Sequence, residues 1–231
     1  QVSISGLRGE SQEDGVTRVK KIVAILLAGA LMLAGNALAK SFEEGVQYVP
    51  IQPQPPVGMG EEVEVVEFFW YGCPHCRDFE PTVNKWAGGL PVNVKFTQIP
   101  AMFGRAADLH AQVYYALQGM GELDRLHEKL FEAINSGGRK LATRDEVDAF
   151  LVENGVDMAM FGDSMNSFAV AAKVNRARAL MRRYGVRSVP TLVVDGRYRS
   201  GTGFSSYQDM VEVADYVVDK VLVQRKDQAA R

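Results

Sequence analysis

Cysteine is nearly absent: the 231-residue chain has two, Cys73 and Cys76. That excludes a scaffold stapled by several disulfides, which needs more pairs. It also leaves no second pair to complete a four-cysteine zinc site. Histidine is scarce, with three in all, and His110 and His127 lie far along the chain from the cysteines. A mixed Cys/His zinc site is therefore set aside on ligand arithmetic. Charge of one sign is not in excess: the net value is −2, so nothing points to nucleic acid as a partner. Repeats and low-complexity tracts are missing as well. A purely structural disulfide between Cys73 and Cys76 closes too small a loop to remove much entropy from the unfolded chain.

One long apolar run is present. Arg18, Lys20 and Lys21 precede "IVAILLAGALMLAG" (Ile22 to Gly35), and "NALAK" follows with Ala37 and Ala39 in an A-x-A arrangement. This predicts a secretory signal cleaved after about Ala39. The run is short for a bilayer span, which takes about 20 residues. The polar stretch 1–16 and the initial Gln1 lead us to expect an over-extended start or a fragment, and 1–39 are set apart from the fold. Export implies an oxidising compartment, where a dithiol normally pairs.

The remainder alternates in character. Residues 40–60 form a polar, then Pro/Gly-rich arm with a short edge strand at 47–49. "VEVVEFF", Val63 to Phe69, is β-branched and aromatic and reads as a buried central strand. A helix follows from Cys73 to about Ala87, with Pro74 in its first turn, where a missing N–H is harmless, and a kink expected at Pro81. "VNVKFTQIP", 92–100, is the next strand. From about 106 to 184 only helical periodicity is seen, including a capping box at Thr143 and Glu146 and a terminating Gly155. Strands at 191–195 and 197–201 flank the turn signal Asp195-Gly196, and a helix over about 206–225 closes the chain. The order is β–α–β, a block of helices, then β–β–α. That predicts an α/β domain over 40–103 and 171–231, interrupted by an all-helical insertion at 104–170.

The chemistry is concentrated in "FFWYGCPHC". Cys-x-x-Cys after a strand and at a helix start is a redox geometry. The helix N-terminus places partial positive charge and free N–H groups at Cys73, and His75 adds a donor or a positive charge. Both favour a Cys73 thiolate. The thiolate exists only in the reduced protein, so stabilising it makes the disulfide more oxidising. Glu67 interrupts the apolar strand six residues earlier, and a carboxylate buried there is costly unless it has a task or a partner. Trp70 and Tyr71 fall on opposite sides by alternation. Met102, Phe103, Phe161 and Met165 are read as core in preference to a peptide groove. Glu80 is read as a solvated helix charge.

"EFFWYG-CPHC", the helical insertion and "SVPT" ahead of a hairpin resemble the thioredoxin fold and, within it, the DsbA-like thiol:disulfide oxidoreductases, over nearly all of 40–225. The resemblance implies a periplasmic oxidase, monomeric and free of metal or organic cofactor. It would pass the Cys73–Cys76 bond to unfolded or newly secreted cysteine-containing proteins through a mixed disulfide at Cys73. A DsbB-type inner-membrane protein would then reoxidise it. It further implies that Cys73, Pro74, His75 and Cys76 form the redox centre and that Glu67 helps move the Cys76 proton. The Val189-Pro190 bond would be cis, with the Val189 backbone holding extended substrate. In the family a lysine on the next strand often accompanies the acid at Glu80; Lys95 and Gln98 are comparable matches. The family's reference oxidase has a thiol pKa of ~3.5 against ~8.5 for free cysteine, a value that belongs to that protein and comes to Cys73 through the resemblance alone. At pH ~7 such a shift stabilises the reduced state by roughly 5 kcal/mol, about 100 mV for a two-electron couple. The other readings are a disulfide isomerase or reductase, and a non-catalytic peptide-binding module.

Overall fold

The computed structural model describes residues 41–55 and 62–230. The basic cluster, the apolar run and the expected cleavage site lie outside the described residues. Strands β1 (Tyr48–Pro50), β2 (Val63–Phe69), β3 (Val94–Pro100), β4 (Thr191–Val194) and β5 (Tyr198–Ser200) form one sheet of order β1-β5-β4-β2-β3. β2 and β3 run parallel, and the other pairs are antiparallel. Helix α1 (Pro74–Ala87) makes the β2–β3 crossover. Helices α2 (Arg105–Met120), α3 (Leu123–Asn135), α4 (Arg144–Glu153), α5 (Met158–Met165) and α6 (Phe168–Tyr184) fill the interval between β3 and β4, and α7 (Tyr207–Ala229) follows β5.

The alternation along β2 sorts its side chains between two cores. Val63 and Val65 pack with Phe79 and Val83 of α1 and with Val213, Val217 and Val221 of α7. Val66 and Phe68 face the other way, into a cluster that continues through the helices between β3 and β4. Phe69, at the strand end, sits in an aromatic nest of Tyr71, Tyr114, His127 and Phe131, with ring centroids 5.2 to 5.6 Å away.

Local signals decide the element ends. The Thr143 hydroxyl accepts from the Glu146 amide while the Glu146 carboxylate accepts from the Thr143 amide, so the expected capping box opens α4. Ser206 caps α7 through the Asp209 amide. Asp195 and Gly196 have φ of 57° and 61° and make the expected tight turn between β4 and β5; Gly bears that conformation without penalty. Four expectations shift. The second crossover strand begins at Val94, not 92, because a turn closes from the Val94 amide to Pro91 O and leaves Val92 fully exposed. The hairpin strands shorten to Thr191–Val194 and Tyr198–Ser200 because Asp195 to Arg197 are spent on the turn. The edge strand is Tyr48–Pro50, one residue later than read. The last helix extends to Ala229. Helix α1 runs on through Pro81.

No helix among the described residues is long and apolar enough to cross a membrane. Phe69 is fully buried. Phe69→Ala should therefore cost about 3–5 kcal/mol, to be read as a lowered midpoint in denaturant at unchanged slope.

Candidate active site

β2 ends at Phe69, and the turn 70–72 delivers Cys73 to the N-cap of α1, with Pro74 at its first position. The Cys76 amide donates to Cys73 O at 3.1 Å, which sets the two cysteines one turn apart. Both are free thiols and both are buried, Cys73 at 9% exposure and Cys76 at 0%. No backbone N–H closes a formal side-chain cap onto Cys73 Sγ. The Cys76 thiol and the Cys76 and His75 amides nevertheless favour its anion.

These influences lower the Cys73 pKa to about 6. The largest is the hydrogen bond from the Cys76 thiol. Burial opposes it, the amides of Cys76 and His75 add to it, and the charge of His75 contributes least. Nδ1 of His75 is itself 3.2 Å from the Tyr207 hydroxyl. Relative to an ordinary thiol, the gain at pH 7 is roughly 1.4 kcal/mol, or about 30 mV. That is less than the value carried over from the family's reference member; in this chain burial works against the thiolate. Cys76 is pushed strongly upward, first by sharing its proton with Cys73 and then by burial. The pair therefore divides its labour: Cys73 holds the charge and Cys76 holds the proton.

Across from the dithiol, the Val189-Pro190 bond is cis, as expected. The Val189 carbonyl lies 3.5 Å from Cys73 Sγ and accepts from it when that thiol is protonated. The Thr191 hydroxyl donates to Ser188 O at 2.8 Å and braces this loop.

Glu67 is completely buried. Its pKa is raised to about 8, first by burial and then by the Glu80 charge, while the Gln98 amide pulls it back. Its Oε1 has no partner among the described residues. The β2–β3 register sets Glu67 opposite Gln98 and Glu64 opposite Lys95. This decides between the two candidates for the neighbouring-strand position. Gln98 Nε2 donates to Glu67 Oε2 at 3.0 Å and to Glu80 Oε1 at 2.8 Å, so one amide bridges both carboxyls. Asn84 Nδ2 donates to Glu80 Oε2 at 2.7 Å.

The reading of Glu80 as solvated is corrected. Its side chain is 12% exposed and pairs with His127 Nε2 at 3.1 Å. The Tyr71 hydroxyl meets His127 Nδ1 at 2.7 Å. His110, the other distant histidine, accepts from Trp70 Nε1 at 3.1 Å. Its Nε2 donates to Leu141 O at 2.9 Å. The helices between β3 and β4 thus reach the turn before the dithiol through two imidazoles. Sequence reasoning missed both, and their one visible mark is position: His127 stands four residues before Phe131, on the apolar stripe of α3. Tyr71 is core and Trp70 half-buried; Phe161 is core, and Phe103 is exposed. A cleft of ≈ 870 Å³ opens beside α1 and α3, lined by Glu80, Gln98 and His127 among others.

A dithiol at a helix start with one low-pKa sulfur, beside the Val189-Pro190 loop on a thioredoxin-type sheet, defines a thiol:disulfide oxidoreductase. The comparisons narrow this class. A family model described as DSBA-like thioredoxin domain matches residues 86–215. The thiol:disulfide interchange protein DsbA of Azotobacter vinelandii is 38% identical over 207 residues, covering 87% of this chain and 97% of its own. Its counterpart in Pseudomonas syringae pv. tomato is 40% identical over 200 residues, covering 86% and 94%. The crystal structure of Pseudomonas aeruginosa DsbA matches with a TM-score of 0.73 and 38% identity, covering 80% of this chain and 97% of that one. The chain belongs to the DsbA-like thioredoxin-domain family. It is a thiol:disulfide interchange enzyme that donates disulfides to cysteine-containing proteins.

Glu67 carries a pH signature. Its folded pKa is raised above the unfolded value, so the native state binds the extra proton and its contribution is fully present below about pH 4.5. That contribution falls as pH rises toward 8 and stays lost above it. Glu67→Gln should remove this slope and stabilise the reduced protein at pH 8 by on the order of 3 kcal/mol relative to wild type. Urea denaturation of both proteins from pH 4.5 to 9 measures the difference.

Proposed function

We propose that Cys73 is the sulfur attacked by substrate and Cys76 the leaving and resolving sulfur. A substrate thiolate attacks Cys73 Sγ, the Cys73–Cys76 bond breaks, and Cys76 departs as a thiolate. That thiolate is a strong base, and Glu67 is its proton source. With a pKa of about 8, about nine in ten Glu67 carboxyls are protonated at pH 7. A second substrate thiolate then attacks the substrate sulfur of the mixed disulfide, and Cys73 leaves as the stabilised thiolate. The substrate dithiol is oxidised and the enzyme disulfide reduced. Pro74 fixes the first turn of α1 without needing a hydrogen-bond partner, and His75 contributes a nearby amide and charge. Val189 and Pro190 carry the extended peptide, with the carbonyl beside Cys73 as anchor. The observation that carries this reading is the lowered pKa of Cys73 next to a raised Cys76.

Residues 104–170 act as a helical insertion in a thioredoxin-like domain of 40–103 and 171–231, with α6 crossing the 170/171 boundary. The enzyme works in the periplasm after cleavage near Ala39, is recharged by a DsbB-type inner-membrane protein, and is monomeric. The basic-apolar-A-x-A pattern of 18–39 and the family membership support the first two points. For the third, the large apolar side chains left exposed, such as Val92, Phe103, Phe168 and Val223, sit on separate elements.

Thiolate ultraviolet absorbance of the reduced protein should titrate with a midpoint below 7, against ~8.5 for ordinary cysteine. Cys76→Ala should accumulate mixed disulfides at Cys73 in the native compartment. An unshifted thiol and no adducts in Cys76→Ala would favour a binding module instead.

A further inference from the structure

The loop that touches Cys73 also walls a second site. Behind Val189, a hollow of ≈ 230 Å³ is lined by Arg187, Ser188, Pro190 and Thr191 on one side and by Arg199 and Ser200 of β5 on the other. Its third wall is the turn before β1, which packs so tightly on the hairpin that a Cβ at Gly201 would lie 1.9 Å from Val46 O. No carboxylate lines the hollow. Neither the Arg187 nor the Arg199 guanidinium has a hydrogen bond or ion pair with another described residue. Arg125, Arg144 and Arg225 are matched by Glu122, Asp148 and Asp195, whereas Arg105, Arg176 and Arg182 are unmatched among the described residues like this pair; what sets Arg187 and Arg199 apart is that they line one hollow.

The larger cleft beside α1 and α3 has the other sign. The cleft beside α1 carries Asp78, Glu80, Asp124, Glu128 and Glu132, and its one arginine, Arg77, is already bound to Asp78. A carboxylate on a substrate chain is disfavoured by that acidic cleft and meets two unmatched guanidinium groups at the hollow behind Val189. Guanidinium is the side chain whose planar fork fits a carboxylate bidentately. Val189 contacts Cys73 Sγ and Pro190, its neighbour, borders the hollow. Successive Cα atoms lie about 3.80 Å apart, so the hollow is within reach of side chains one to three residues from a substrate cysteine.

We infer that Arg187 and Arg199 form a substrate-selecting subsite for an acidic side chain placed within about three residues of the cysteine being oxidised. The inference rests on the proposed function, since it assigns the substrate's neighbouring residues to that same exchange site. It acts at the first step: the peptide thiolate bonds to Cys73 Sγ as the Cys73–Cys76 bond breaks, and the carboxylate in the hollow holds the attacking chain in place.

The test uses the full chain in its disulfide form and single-cysteine peptides with Glu or Gln at each position from three before to three after the cysteine. Rates of mixed-disulfide formation are divided by the same peptide's rate with glutathione disulfide, which removes the effect of Glu on thiol acidity. At low salt, Glu should raise the normalised rate about three- to tenfold at one or two positions, the sum of two partly exposed ion pairs. High salt should bring the ratio toward one. Arg187→Gln/Arg199→Gln should abolish the preference, and Arg187→Glu/Arg199→Glu should transfer it to Lys peptides. A ratio of one at every position in the wild type overturns the subsite, as does a Glu preference that survives in both double variants. A wild type that reacts with none of the peptides, Gln ones included, overturns the exchange reading itself and the subsite with it.

Discussion

A sulfur anion held beside a sulfur that keeps its proton is the arrangement from which the other features of this molecule take their meaning. The two thiols stand one helical turn apart because α1 begins at Pro74, and α1 begins there because β2 hands the chain over through a three-residue turn. Cys73 is stabilised as the charged form chiefly by the Cys76 thiol and then by amides at the helix start. Cys76 is correspondingly driven toward its neutral form. A covalent bond between these sulfurs abolishes the charge and every hydrogen bond made to it. The reduced state therefore holds a favourable interaction that the oxidised state lacks, and the fold leans toward giving the disulfide away.

Around that pair the protein arranges groups of graded polarity. The Val189 carbonyl approaches Cys73 Sγ. On the inner side, Glu67 is sealed in, and its carboxyl is kept protonated by burial and by the anion of Glu80. Glu80 takes hydrogen bonds from Gln98, Asn84 and His127. The aromatic nest of Phe69, Tyr71 and Phe131 keeps this polar strip in a medium where such differences are large.

Much of this is legible in the chain. The β–α–β, helices, β–β–α order follows from periodicity. The placement of Cys73 and Cys76 one turn apart at a strand–helix junction follows from their spacing and the flanking pattern. The Thr143/Glu146 box and the Asp195-Gly196 turn are local and readable for that reason. What escapes a linear reading depends on register and on long-range packing. Whether Lys95 or Gln98 faces Glu67 is decided by a parallel pairing that no short stretch encodes. His127 reaches Glu80 across 47 residues, because α3 packs over α1, and its spacing in the sequence argues only for distance. The depth of Glu80 is hidden for the same cause: a polar residue on an amphipathic helix looks solvated until the neighbouring helix is known to cover it. Strand ends move by a residue or two where turns at Pro91 to Val94 and at Asp195 to Arg197 claim backbone groups that periodicity assigns to the sheet.

The inner core of the helices does not end at a seam. Phe68 and Phe69 of β2 belong to the same apolar cluster as Leu126, Leu130 and Phe131 of α3 and as Val147 and Leu151 of α4. The helices are thus the second half of the sandwich on that face, not an appendage resting upon it. Pruning them in pursuit of a minimal enzyme would strip the roof from the strand that positions the dithiol and leave two phenylalanines facing water. A shortened version of this protein has to begin by repainting β2.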